Sequence, residues 1–255
     1  MLLAGTPVES TVYTDENWTV TNDPKHPSLA YIESKTLAEK AAWDFVQSLP
    51  SEKSFELTTI NPTAVLGPMI SKSSCTSADI VRQIITGELQ GLPDLTLDIV
   101  CIYDVVKAHM LAMTHPEAAG KRFMVHGAQL NIREVAAIIK EEFSPMGYRP
   151  TTTHIPAFVI WMASFFDSQA RTILGLLGVK RNLQPNNVNK ILGMKLNTDG
   201  PAMVKAMTYG AVRAGLIPDR LSSSPVKSHF VMPELDLSDV PLAEHSKACK
   251  KVKCY

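Results

Sequence analysis

Along residues 31–46, apolar side chains recur at steps of three and four: Leu37, Ala38, Ala41, Ala42, Phe45 and Val46, with Glu33, Glu39, Lys40 and Asp44 between them. That period predicts a helix, and most of its residues favour helix. Pro50 predicts its end, because proline cannot continue the hydrogen-bond ladder. Residues 54–60 alternate as a strand does, and the NPTAVLGP stretch at 61–68 closes that strand in a loop. A helix feeding a strand with a loop at its carboxyl end is half of a parallel α/β unit, and such loops are where ligands bind.

The same patterns predict a helix at 79–87, a strand at 97–102 and a helix at 104–115 capped by Asp104. A strand at 121–127 follows, then a helix capped by Asn131 that carries Val135, Ala136, Ile138 and Ile139. Residues 1–30, rich in Asn, Asp, Pro and Thr, read as loop. Residues 151–199 read as mostly helical, and a last helix spans 200–215. From Leu221 the pattern dissolves into Ser, Pro and Lys and reads as a tail, with Lys247, Lys250, Lys251 and Lys253 as solvated charges.

A chain of 255 residues is long enough for one large domain or two small ones. Lys+Arg and Asp+Glu both number 25, so no long-range field draws nucleic acid or an anionic surface. The longest apolar run, 155–166, is too short to cross a hydrocarbon core of about 30 Å as a helix. The wider apolar segment 155–177 reads either as the lining of a greasy substrate pocket or as plain core. The first residues lack a basic n-region, which argues against a secretory signal and for a cytoplasmic protein. Cys75, Cys101, Cys249 and Cys254 show no paired spacing, and the histidines form no HExxH, so neither a disulfide framework nor a metal site is expected. Cys101, in an apolar strand, reads as an inert buried thiol. His109, mid-helix, reads as a packing residue or one bonded to a backbone carbonyl.

The candidate chemistry lies at the start of the first helix. Tyr31 and Lys35, four apart, share a helix face. An ammonium beside a phenol favours the phenolate and lowers a pKa that is about 10 in isolation. Tyr31 is thereby a candidate proton donor to a carbonyl oxygen that has just received a hydride. The spacing alone arises by chance in any long helix; the surrounding text decides.

YIESKTLAEKAAW at 31–43 followed by NPTAVLGP at 61–68 resembles the extended short-chain dehydrogenase/reductases of the dihydroflavonol reductase and cinnamoyl-CoA reductase type, within the NAD-dependent epimerase/dehydratase superfamily. Later pieces agree in order: IYDVVKAHMLAM at 102–113, GKRFMVHG at 120–127, and the segment ending KILG at 190–193. The resemblance covers about residues 10–220. It implies an α/β fold: an incomplete Rossmann-type, doubly wound parallel sheet with a mostly helical C-terminal substrate lobe. The corresponding divisions are 1–126 for the later part of the dinucleotide-binding domain, with a lobe insert near 70–98, then 127–220 for the substrate lobe and 221–255 for the tail. The implied activity is NADP(H)-dependent reduction of a ketone or aldehyde, with NAD as the other possible cofactor and a small carbonyl or alcohol as substrate. Tyr31 would be the acid, and Lys35 would hold the nicotinamide ribose and keep the tyrosine pKa low. Pro62 would meet the nicotinamide carboxamide through backbone, although by itself it reads equally as a strand stop. Ser77 matches a serine that touches the cofactor, although as a residue it reads as ordinary loop.

Two departures accompany the resemblance. Cys101 and Tyr103 stand where the family usually has an acid and a basic residue, a change expected to alter packing or substrate contacts. More important, no G-x-G-x-x-G or G-x-x-G-x-x-G string occurs in these residues, and no serine has the context of the family's active-site serine. The sequence therefore reads as the later part of such an enzyme. The alternative expectation is an N-terminally shortened, inactive member that cannot bind cofactor as its relatives do.

Overall fold

A computed structural model describes residues 11–19, 29–73, 75–226, 228–238, 240 and 251–252. The elements in chain order are β1 (Val12–Thr14), α1 (Leu29–Ser48), β2 (Thr59–Pro62), β3 (Ala64–Leu66), α2 (Thr76–Thr86), β4 (Thr96–Cys101), α3 (Ile102–Thr114), β5 (Arg122–Val125), β6 (Ala128–Asn131) and α4 (Ile132–Phe143). The later half adds α5 (Ala157–Ala163), α6 (Ser168–Leu174), β7 (Asn182–Gln184), α7 (Asn186–Lys190), α8 (Gly200–Arg213), β8 (Leu235–Asp236) and β9 (Lys251–Val252).

The architecture is α/β, as expected, with parallel pairings at its centre. β2 pairs with β5 in parallel, Pro62 opposite Val125. Pro62 has no N–H to offer a ladder, and there the strand changes partner: Thr63 donates its N–H to the Val125 carbonyl (3.1 Å), and the chain continues as β3 beside β4, again in parallel. β6 adds an antiparallel edge to β4. β1 pairs with β7 in parallel, so part of the stretch expected to be loop is a short strand.

Two apolar clusters fill the molecule. One joins α2, α4 and α8 with β3 and β4, around Ile84, Ile85, Ile139, Phe143 and Met203. Gly210 lets α8 lie against the backbone of Pro68 and Met69, where a side chain would collide. The other cluster gathers α3 and β5 with Val188, Leu192 and Leu196.

Several expectations need correction. The strand expected from residue 54 begins only at Thr59, because residues before it are tied to the loop ahead of β5: Gly120 donates to the Leu57 carbonyl (2.8 Å) and Thr58 Oγ1 to the Ala118 carbonyl (2.7 Å). Asp104 does not cap α3. Cys101 holds the N-cap position, and Asp104, inside the first turn, accepts the Asn197 N–H at 2.8 Å. The mostly helical reading of 151–199 yields only three short helices, interrupted at Pro156, Gly175, Gly178 and Pro185. Asn131 does cap α4, in a reciprocal box with Glu134. Within the stretch read as a tail, Leu235, Leu237 and Val240 are buried in the second cluster, and Phe230 stacks on Tyr209 with ring centroids 5.4 Å apart. Lys247, Lys250 and Lys253, with Cys249 and Cys254, lie outside the described residues. Among the described residues no helix is long and apolar enough to cross a membrane.

Candidate functional site

Helix α1 places Tyr31 and Lys35 in its first two turns, with the Lys35 ammonium 5.7 Å from the centre of the Tyr31 ring. Both side chains are exposed. The chain leaves α1 and soon returns as β2, and Glu39 in the middle of the helix meets Thr59 and Asn61 of that strand, which ends at Pro62. Ser77 lies on another element, in the first turn of α2, beside Ala78 of the α2–α4–α8 core.

The face on which α1 rests is not the one its apolar period indicates. Leu37 and Phe45 are 57% and 56% exposed, whereas Ile32 and Thr36 are buried. What holds the middle of the helix is a polar hub. Arg122 donates from Nε to Glu39 Oε1 (2.8 Å) and from Nη2 to Oε2 (3.1 Å), a two-pronged pair with both side chains almost wholly buried. Its Nη1 donates to the carbonyls of Asp15 (2.8 Å) and Asn17 (2.9 Å), and the guanidinium lies 3.9 Å from the centre of the Trp18 ring. Thr59 Oγ1 (2.9 Å) and Asn61 Nδ2 (3.4 Å) also donate to Glu39. The Asp15 carboxylate accepts the N–H groups of Met124 (2.7 Å) and Asn187 (3.0 Å), and Asn187 Nδ2 donates to the Arg122 carbonyl (2.8 Å). Burial opposes the charge on Glu39, but the hydrogen bonds from Arg122 and Thr59 and the nearby guanidinium outweigh it and hold the carboxyl at about 2. A shallow depression of about 200 Å³, lined by Trp18, Trp43, Lys121 and Arg122 among others, opens beside this hub rather than at Tyr31.

Glu39, Arg122, Asp15, Trp18 and Asn187 were not singled out from the sequence. Two carried a signal: Glu39 continues the Lys35 column at the next i+4 position, and Arg122 sits inside the GKRFMVHG segment. Cys101 is buried, and burial pushes its thiol up, consistent with an inert residue. His109 Nδ1 lies 2.7 Å from the Val105 carbonyl, a contact within its own helix.

No family model matches the chain. It is similar to the NADPH-dependent methylglyoxal reductase GRE2 of Saccharomyces cerevisiae, 32% identical over 144 residues, covering 53% of this chain and 42% of that protein. It is also similar to cinnamoyl-CoA reductase CAD2 of Medicago truncatula, 36% identical over 138 residues, covering 54% of this chain and 40% of that protein. The chain thus spans less than half the length of these relatives. Among solved structures, yeast methylglyoxal/isovaleraldehyde reductase Gre2 complexed with NADPH overlays 80% of this chain and 58% of its own, with a TM-score of 0.61 at 24% identity, which shows a shared fold. The chain is similar to reductases of the extended short-chain dehydrogenase/reductase family, the family its motifs resemble.

Proposed function

We propose that this chain carries the proton-donating half of an NADP(H)-dependent oxidoreductase that reduces a ketone or aldehyde to an alcohol, and runs the reverse oxidation of the CH–OH group. The observation that carries this reading is the Lys35 ammonium standing over the Tyr31 ring at the N-terminal end of α1. The relatives named as reductases, one of them NADPH-dependent, favour it. When bound, the nicotinamide cofactor supplies a hydride to the carbonyl carbon. Tyr31 gives its phenolic proton to the carbonyl oxygen, and Lys35 balances the charge left on the phenol oxygen. Lys35 also has N–H donors to spare for ribose hydroxyls, and the carbonyl of Pro62 is a backbone acceptor for the carboxamide. Ser77, on α2, is the cofactor contact for which the placement offers least support.

Tyr31 is 56% exposed, which favours access by the nicotinamide end of the cofactor. The diphosphate end has no Gly-rich turn to meet it anywhere in the 255 residues, which favours a second reading: a member of the family that does not bind the dinucleotide by itself. In the first reading the substrate is a small carbonyl or alcohol, drawn against the lobe at 127–220; the setting in either is the cytoplasm. Segment 155–177 does not behave as plain core: Phe158, Trp161, Met162, Phe165 and Phe166 are exposed, and they offer apolar contact to such a substrate.

Fluorescence titration of NADPH into this chain, with Tyr31→Phe and Lys35→Met alongside, separates the two. Micromolar binding with carbonyl reduction that falls by about a hundredfold or more in Tyr31→Phe supports the enzyme reading. Absence of binding supports the second. Turnover that survives Tyr31→Phe overturns the role given to Tyr31.

A further inference from the structure

We propose that Glu39 and Arg122 are positioning residues for the Tyr31–Lys35 pair: their buried two-pronged contact sets the roll and height of α1 against the β2–β5 pair. This rests on the reading of Tyr31 and Lys35 given above.

Among the described residues little else fixes helix α1. Ile32 is buried, but Leu37 and Phe45 stand in the open, so apolar packing leaves rotation about the helix axis weakly determined. A single point charge would leave it equally free. The guanidinium fork does not, because two parallel N–H···O contacts fix both distance and orientation. The fork itself is immobilised. Its remaining arm is held by the Asp15 and Asn17 carbonyls, Trp18 covers one face, and Asn187 holds the Arg122 carbonyl. Shifting the guanidinium strands several buried polar groups at once.

The hub is coupled to the chemistry on both sides. Glu39 lies one turn from Lys35 and two from Tyr31, about 12 Å along a rigid rod, so a change of roll at Glu39 moves the phenol with it. Arg122 opens β5, the strand that holds β2 in register up to Pro62. The Glu39–Arg122 contact therefore ties the proton donor to the strand end where the carboxamide acceptor sits. Neither residue reaches the reacting atoms.

The test is amide hydrogen exchange on the full chain carrying Glu39→Gln or Arg122→Lys, each of which keeps the size or the charge but not the fork. Exchange across Leu29–Ser48 is expected to quicken by about tenfold or more, while Gly200–Arg213 keeps its protection. Where the chain turns over, kcat falls and the KM for the carbonyl substrate does not rise, the split expected of misplacement rather than lost binding. Unchanged exchange in α1 overturns the proposal, and so does an equal loss of protection in α8, which would reveal a general stability role. Exchange decides the matter even without turnover. Tyr31→Phe in parallel keeps the two ideas apart: turnover surviving that change sinks the role of Tyr31, while α1 loosening in the hub variants would still stand.

Discussion

Helix α4 buries Ile132, Val135, Ala136, Ile139 and Phe143 against α2 and α8, whereas the longer α1 buries, among its described side chains, chiefly Ile32, Thr36 and the charged Glu39 and leaves Leu37 and Phe45 in the open. In the first region apolar area removed from water does the work. Phe143 sits with its ring 4.6 Å from that of Tyr209 and 6.0 Å from that of Tyr148, and the capping box at Asn131 completes the helix end. In the second region geometry is specified by directional polar contacts among Glu39, Arg122 and Asp15. Apolar packing tolerates small slides; a directional polar hub does not, and that suits the placement proposed for Tyr31 and Lys35.

The difference can be tested where it is largest. Phe143→Ala is expected to cost about 3–5 kcal/mol through lost contact and the cavity left behind, read as a lower denaturation midpoint of the whole chain. An unchanged midpoint for α1, followed through Trp18, would show that the two regions are not one cooperative unit.

Acid acts next. The Glu39 carboxyl is held at about 2 against an ordinary value of 4.5, so its contribution is present in full above 4.5 and is lost as pH falls toward 2. Glu142 of α4 is also lowered: burial opposes its charge, and hydrogen bonds from Lys205, Tyr209 and Ser228 overcome that. The α2–α4–α8 cluster, however, keeps its apolar core. The expected outcome is release of α1 before that cluster unfolds, followed by Trp18 emission as the difference between the parent and Trp18→Phe chains. In Glu39→Gln this acid transition disappears. A transition of unchanged midpoint in that variant would contradict the assignment.

The smallest effect is expected on the free face of α1. Phe45→Lys should change stability by no more than about 0.5 kcal/mol, because the ring is already mostly in water. A larger loss in thermal melting would mean that this face is covered in solution.

Much of this was legible in the sequence and some was not, and the division follows the range of the forces. The bounds of α1, the cap at Asn131, the last helix from Gly200 and the strands β4 and β5 follow from periodicity, proline and capping, all of which act within a few residues. The Tyr31–Lys35 pair is of the same kind, since a spacing of four on a helix guarantees neighbours. The seat of α1 was not legible for the converse reason. Its apolar period points to Leu37 and Phe45, but Glu39 meets Arg122 from 83 positions away, and no local pattern encodes such a partner. Asp104 was misplaced likewise: the N–H that holds it belongs to Asn197. Phe230 and Leu235, in a stretch of tail-like composition, find their places on Tyr209 and beside β5's cluster. The sequence by itself determined the longer helices and the strands β4 and β5, and it put Tyr31 and Lys35 on one helix face. Only the tertiary structure decided which face of α1 is held and by what, because a buried charge is tolerable only beside the partner that chain closure brings to it.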